Sequence, residues 1–220
     1  MDVESRDSVS LKPAELDEFA QLLTGVGLDL GDALDDQIES FPLVVLGSTD
    51  GELAGFLFGS LERVGGTPCI LWGLGASRRG RKAGATVKAM TGELYRRAAI
   101  SFPDEDVLVA ARLAHGSAYS LLAVLSDVVP RQSYTPTGEE RAWGRRLARR
   151  FGCDERYDEH EFSIRRAGRS EPIFDCSTVR AGSRAAAALV GERDPSVGEA
   201  MIAFGWAGAD ALADGLGYGH

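Results

Sequence analysis

"TPCILWGLGASRRGRKAGATVKAM", residues 67–90, passes from a strand-like run through a basic, glycine-containing turn into a helical pattern. Residues 67–75 are strand-like, whereas Val87 and Met90, continued by Leu94 and Ala98, fall on one face of a helix expected to run to about Ala99. Between them lie Arg78, Arg79, Arg81 and Lys82, at or just before the helix's first turn, in a chain of formal net charge -9. Basic residues are least welcome at that end, because unpaired backbone N–H groups already give it a positive partial charge. A bound anion would resolve the conflict. Gly80 and Gly84 let the backbone approach a ligand closely, so the turn has the parts of a phosphate cradle: exposed N–H groups, a dipole and movable cations. A solvated basic turn without a ligand is the alternative. A P-loop fits less well: Gly75 and Gly80 have its spacing, but Arg81 stands at the lysine position and no Ser or Thr hydroxyl follows for magnesium.

Working outward, "STDG" separates two strand-like runs and predicts a hairpin with arms near 43–47 and 53–63. Before it, residues 11–38 read as two helical segments, the first opened by Lys12-Pro13 and broken by "TGVGLDLGD". After the basic turn and its helix, "DVLVAARL" at 106–113 is apolar enough for a strand buried on both faces. The order helices, hairpin, strand, helix, strand implies an α/β (α+β) fold with a mixed sheet, its basic turn carried on a right-handed β–α–β crossover.

Farther on, 117–129 reads as a short apolar helix stopped near Pro130. Thr137 and Glu140 have capping-box spacing and open a helix with Trp143, Leu147 and Phe151 on one stripe. Arg145, Arg146, Arg149 and Arg150 are expected only to complement the negative end of that helix. Residues 157–165 are a further strand candidate. From about Ala167 the chain is Ala/Gly-rich, and 167–220 reads as a helical C-terminal extension packed on the core or on a second copy, a possible homodimer.

With 220 residues, 44% of them hydrophobic, the chain can bury a proper core. "MDVESRDSVS" lacks the features of a secretory signal and no stretch is long and apolar enough for a bilayer, so a soluble, cytoplasmic protein is expected, without membrane partners. Cys69, Cys153 and Cys176 are scattered, as are His115, His160 and His220, which indicates neither a disulfide framework nor a metal site. A pI near 4.9 argues against extended nucleic-acid binding and mildly favours cationic substrates.

On Arg79-Gly80-Arg81-Lys82-Ala83-Gly84, and on the order of the elements around it, the chain resembles the GCN5-related N-acetyltransferase (GNAT) superfamily, whose signature is (Gln/Arg)-x-x-Gly-x-(Gly/Ala). Lys82 stands where the first signature glycine belongs. The resemblance covers roughly residues 8–166 and divides the chain into a GNAT-like acyl-CoA-binding domain at 1–166 and the extension at 167–220. It implies a mostly antiparallel central sheet flanked by helices, with acetyl-CoA or another acyl-CoA as cosubstrate and no metal.

By the same resemblance, the pyrophosphate would sit on the N–H groups of Arg79, Gly80, Arg81, Lys82, Ala83, Gly84 and Ala85, and Leu74, Gly75 and Ala76 would pair with the pantetheine arm. Leu74 would offer its N–H to the oxyanion. The tyrosine that commonly protonates the leaving thiolate is missing, since its position holds Leu122; Tyr119 is the substitute candidate. Glu62 and His115 are the candidate bases, and Trp72 and Phe58 read as core. The implied activity is direct N-acyl transfer to a small-molecule or protein amine. The rival is a catalytically degenerate fold member that binds acyl-CoA or a partner for regulation.

Overall fold

The computed structural model describes residues 1–31, 33–179, 183–214 and 216. The chain opens with β1 (Asp2–Asp7), α1 (Pro13–Gly25) and α2 (Ala33–Ser40), followed by the hairpin β2 (Leu43–Thr49) and β3 (Glu52–Val64). Next come β4 (Thr67–Ser77), α3 (Ala83–Ser101) and β5 (Val107–Leu113), then α4 (Gly116–Ser120), β6 (Ser126–Val129) and α5 (Gly138–Arg150). Two short strands, β7 (Tyr157–Asp158) and β8 (Ser163–Ile164), precede α6 (Arg184–Val190), β9 (Ala200–Ala207) and α7 (Ala209–Ala213).

Among the described residues the strands form one sheet, ordered β1-β2-β3-β4-β5-β9-β8-β7, with β6 also paired to β9. Only the β4–β5 pairing within this ladder is parallel. This is the expected class: a mixed, mostly antiparallel sheet flanked by helices, with α3 as the crossover. Helix α1 packs on one face by stacking Phe19 on Phe56, ring centroids 4.1 Å apart, with Phe58 edge-on at 6.0 Å from Phe19. Phe58 and Trp72 are fully buried core residues, as read from the sequence.

Several local expectations are corrected. Residues 2–7, to which the sequence pattern assigns no element, form the edge strand β1, paired antiparallel with β2. The expected helix at 117–129 is helical only to Val124 and continues as β6. The strand candidate at 157–165 reduces to β7 and β8. Within 167–220, α6 and α7 are helical, but residues 200–207 are a strand in the middle of the sheet, paired with β5 from Val107↔Ala207 to Leu113↔Met201. Packed against both faces, β9 buries Met201, Ala203 and Phe204 together with Ile202, so its apolar residues show no period of two. Residues 180–182, 215 and 217–220 of that segment lie outside the described residues.

Candidate functional site

Strands β4 and β5 pair only from Cys69↔Leu108 to Trp72↔Ala111, although β4 runs on to Ser77 and β5 to Leu113. The sheet therefore splits at Trp72. Beyond the split, β4 delivers the chain to the basic turn, and α3 begins at Ala83 with no side-chain cap and no acidic residue in its first turn. Among the described residues, the N–H groups of Arg79, Gly80, Arg81, Lys82, Gly84 and Ala85 have no hydrogen-bond partner. The Ala83 N–H is the exception, donating to the Gly80 carbonyl at 3.2 Å, so Ala83 is withdrawn from the row of donors. A Cβ built on Gly80 meets nothing within 4 Å and one on Gly84 meets only Val179 Cγ1 at 3.6 Å, so the turn lies open.

The cations divide by role. Arg78 is structural: its N–H donates to the Ala54 carbonyl at 2.7 Å and its guanidinium to the Leu53 carbonyl at 3.0 and 3.2 Å. Lys82 makes one loose, exposed ion pair, with Asp50 at 3.9 Å, which is worth little in water. Arg79 and Arg81 have no ion-pair partner among the described residues. A cavity of about 510 Å³ lies beside the turn, walled by the turn itself and by Asp50, Glu52 and Leu53 of the hairpin.

The split is not open. Residues 172–179 run through it as a strap. Gly75 N–H donates to the Ile173 carbonyl at 3.1 Å, Asp175 N–H donates to the Gly75 carbonyl at 2.8 Å, and Phe174 N–H donates to the Arg112 carbonyl at 3.2 Å. The strap thus bridges both separated strands. Phe174 is fully buried, edge-on to Trp72 with ring centroids 5.5 Å apart, and a Cβ on Gly75 would lie 2.9 Å from its ring and 2.8 Å from the Phe56 carbonyl. Only glycine allows this approach. Farther along, Ser117 Oγ donates to the Cys176 carbonyl at 2.7 Å, and Ser77 Oγ and Thr178 Oγ1 share a hydrogen bond of 2.7 Å.

These contacts correct three expected donors. Both backbone polar groups of Gly75 are taken by the strap, the Leu74 N–H donates to Gln37 Oε1 at 3.3 Å, and Ala76 is paired with Phe56 of β3. Glu62 does not reach the site. It pairs with Arg150, Nη2 to Oε2 at 3.1 Å, and accepts from Ser60 at 2.8 Å, opposite Cys69 and roughly 20 Å along β4 from Gly75 at about 3.3 Å per residue. The Tyr119 hydroxyl donates to the Pro130 carbonyl at 2.7 Å, and burial raises its pKa, so its proton is engaged by the fold.

His115 is placed at the end of the split, just before α4, with Nε2 3.0 Å from Asp175 Oδ2. Asp175 is 1% exposed, and its other oxygen accepts from the N–H and Oγ of Ser177 at 2.9 and 2.7 Å. The carboxylate is therefore fixed and orients the imidazole. Asp175, Gln37 and the strap are features of the candidate site that local sequence pattern does not show; the short apolar run "PIFDC" at 172–176 is the signal there for a buried extended segment.

On the α2 side a second cavity, of about 710 Å³, is lined by Asp36, Gln37 and Glu39 on one wall and by Arg112, Arg156 and Glu171 on another. Arg112 is buried and lies over the Phe151 ring, with Glu171 at 3.8 Å; burial pulls its pKa down, opposed by the Glu171 carboxylate. The three thiols are buried. Burial pushes Cys69 and Cys153 up to about 11 and Cys176 well above the ordinary range. Among the described residues there is no group of three or more His, Cys, Asp or Glu able to hold a metal, and no helix is long and apolar enough to cross a membrane.

No protein-family profile and no curated protein matches the chain. Solved structures do. The aminoglycoside 6'-N-acetyltransferase from Enterococcus faecium aligns with 53% of this chain and 65% of its own, under two thirds of its length, at 18% identity and a TM-score of 0.41. Escherichia coli ElaA aligns with 62% of this chain and 93% of its own, at 16% identity and 0.42. An acyl-CoA N-acyltransferase from Pseudomonas aeruginosa aligns with 58% of this chain and 90% of its own, at 19% identity and 0.41.

Proposed function

We propose that this chain is an acyl-CoA-dependent N-acyltransferase of the GNAT type, transferring an acyl group directly to an amine. The observation that carries the reading is the start of α3, where the described residues leave six backbone N–H groups without a partner, supply no acid and no side-chain cap, and leave Arg79 and Arg81 without an ion pair. Such an end is built for an anion that the protein does not itself supply. Arg79, Gly80, Arg81, Lys82, Gly84 and Ala85 would hold the diphosphate of the donor. The donor contributes an acyl carbon activated as a thioester.

The fit is good at the cradle and poor beyond it, because the strap fills the adjoining split. The remaining work falls to the chain's own residues. His115, at the end of the split and paired with Asp175 only while the strap is seated, is a group there able to take a proton from the attacking amine, which must be neutral to react. The acceptor would enter from the α2 side, where the 710 Å³ cavity adjoins Gln37, the partner of Leu74 N–H. Asp36 and Glu39 there suit an amine carried on a cationic molecule, in keeping with the acidic charge of the chain.

The direct test is release of free CoA thiol from acetyl-CoA in the presence of a pooled amine library. Amine-dependent release that falls when His115→Ala is introduced is expected. Saturable acetyl-CoA binding with no release for any amine would sink the enzymatic part of the reading.

A further inference from the structure

The geometry points to residues 172–179 as an autoinhibitory strap, a tethered segment that occupies the acyl-donor cleft and must leave it before a donor can enter. The inference rests on the acyl-CoA reading above. In chain order the strap touches Gly75 through Ile173 and Asp175, then Ser117 through Cys176, then Ser77 through Thr178, and finally comes beside Gly84 at Val179. It therefore runs from the signature strand to the open helix start, along the line the expected pantetheine and diphosphate would take. Its backbone pairs with Gly75 as that arm would.

The clasp is suited to exchange. Apart from the buried side chains of Ile173, Phe174 and Cys176, its contacts are backbone bonds to Gly75 and Arg112, the hydroxyl bonds and the His115–Asp175 pair, polar contacts that water or a ligand amide can replace. Both flanks are fixed independently. Ala167 and Gly168 donate to the Val197 carbonyl at 2.8 and 3.1 Å, and α6 packs so closely on α4 that a Cβ on Gly116 would lie 2.8 Å from Ala187 backbone atoms. A strap that swings out thus stays attached at both ends. A ligand that needs the open form binds with an apparent affinity reduced by the open fraction. Holding the strap shut should abolish binding, and loosening it should strengthen binding.

The test is a Ser77→Cys/Thr178→Cys pair, whose parent oxygens are 2.7 Å apart and so within reach of a disulfide. Acetyl-CoA binding is measured by calorimetry on the oxidised protein and after reduction with a phosphine, and in parallel on Ser117→Ala/Thr178→Ala. We expect at least 100-fold weaker binding when oxidised, recovery on reduction, and about tenfold tighter binding than wild type for the alanine pair. Equal binding in the oxidised and reduced states, or an alanine pair that binds no better than wild type, overturns the strap while leaving the acyl-CoA reading intact. Absence of binding in every form, the alanine pair included, fails that reading and takes the strap with it. Should the cysteine pair not fold, the alanine pair decides alone.

Discussion

Helices α3 and α5 start under opposite electrostatic conditions. At α5, Thr137 Oγ1 accepts from the Glu140 N–H at 3.2 Å, the Glu140 carboxylate accepts from the Thr137 N–H at 2.6 Å, and Glu139 adds a second acid to the first turn. Arg149 and Arg150 stand in its last turn. At α3 the corresponding positions hold Lys82, Ala83, Gly84 and Ala85, with no side-chain cap and no acid. One helix caps its N-terminus with its own side chains, and the other does not. The arginines follow the same division: Arg150 is spent on Glu62 and the Ser40 carbonyl, whereas Arg79 and Arg81 are uncommitted among the described residues.

The comparison breaks most easily at Gly84. Gly84→Glu places a carboxylate in the first turn of α3, where the space around the added Cβ is adequate. Affinity for CoA should fall at least 100-fold, about 2.7 kcal/mol, while the melting temperature holds or rises, since an acid there complements the dipole by ~0.3–1 kcal/mol. Opposite signs in the two measurements are the signature of a ligand-completed helix. Unchanged affinity would mean that the diphosphate does not sit there.

A smaller effect is expected from Arg79→Ala/Arg81→Ala: CoA binding weakened about tenfold, ~1.4 kcal/mol, with a shallower dependence on salt and an unaltered melting curve. Loss of stability instead would show that these side chains serve the fold. Smallest is Thr137→Ala in α5, which should cost about 1 kcal/mol in chemical denaturation and leave CoA affinity as it was. If both helices responded alike in both assays, the contrast would have no functional content.

Much of this was legible in the residues. The hairpin, β4, α3 and β5 follow from local periodicity and turn chemistry, and the Thr137 capping box was read directly and is present. What escaped depends on distant partners. β1 carries mostly polar side chains and is a strand because β2 offers it an unpaired edge. β9 has the alanine and glycine content of a helix, and its small residues are there because the strand is covered on both faces. Glu62 looked available, and it is neutralised by Arg150, 88 positions along the chain. The strap has neither helical nor strand period, since its residues answer to partners spread over β4, β5 and the start of α4: Gly75, Ser77, Arg112, His115 and Ser117. Of the candidate site, the open basic turn before α3 is legible in the sequence and the strap that fills the adjoining split is not.

Whether the start of α3 takes up a diphosphate is read from backbone amide resonances during a titration with acetyl-CoA. Arg79, Gly80, Arg81, Lys82, Gly84 and Ala85 are expected to shift together and saturably, Asp175 to lose its protection from hydrogen exchange, and the start of α5 to stay silent. A titration that leaves residues 79–85 unmoved, or that moves both helix starts equally, would contradict that uptake.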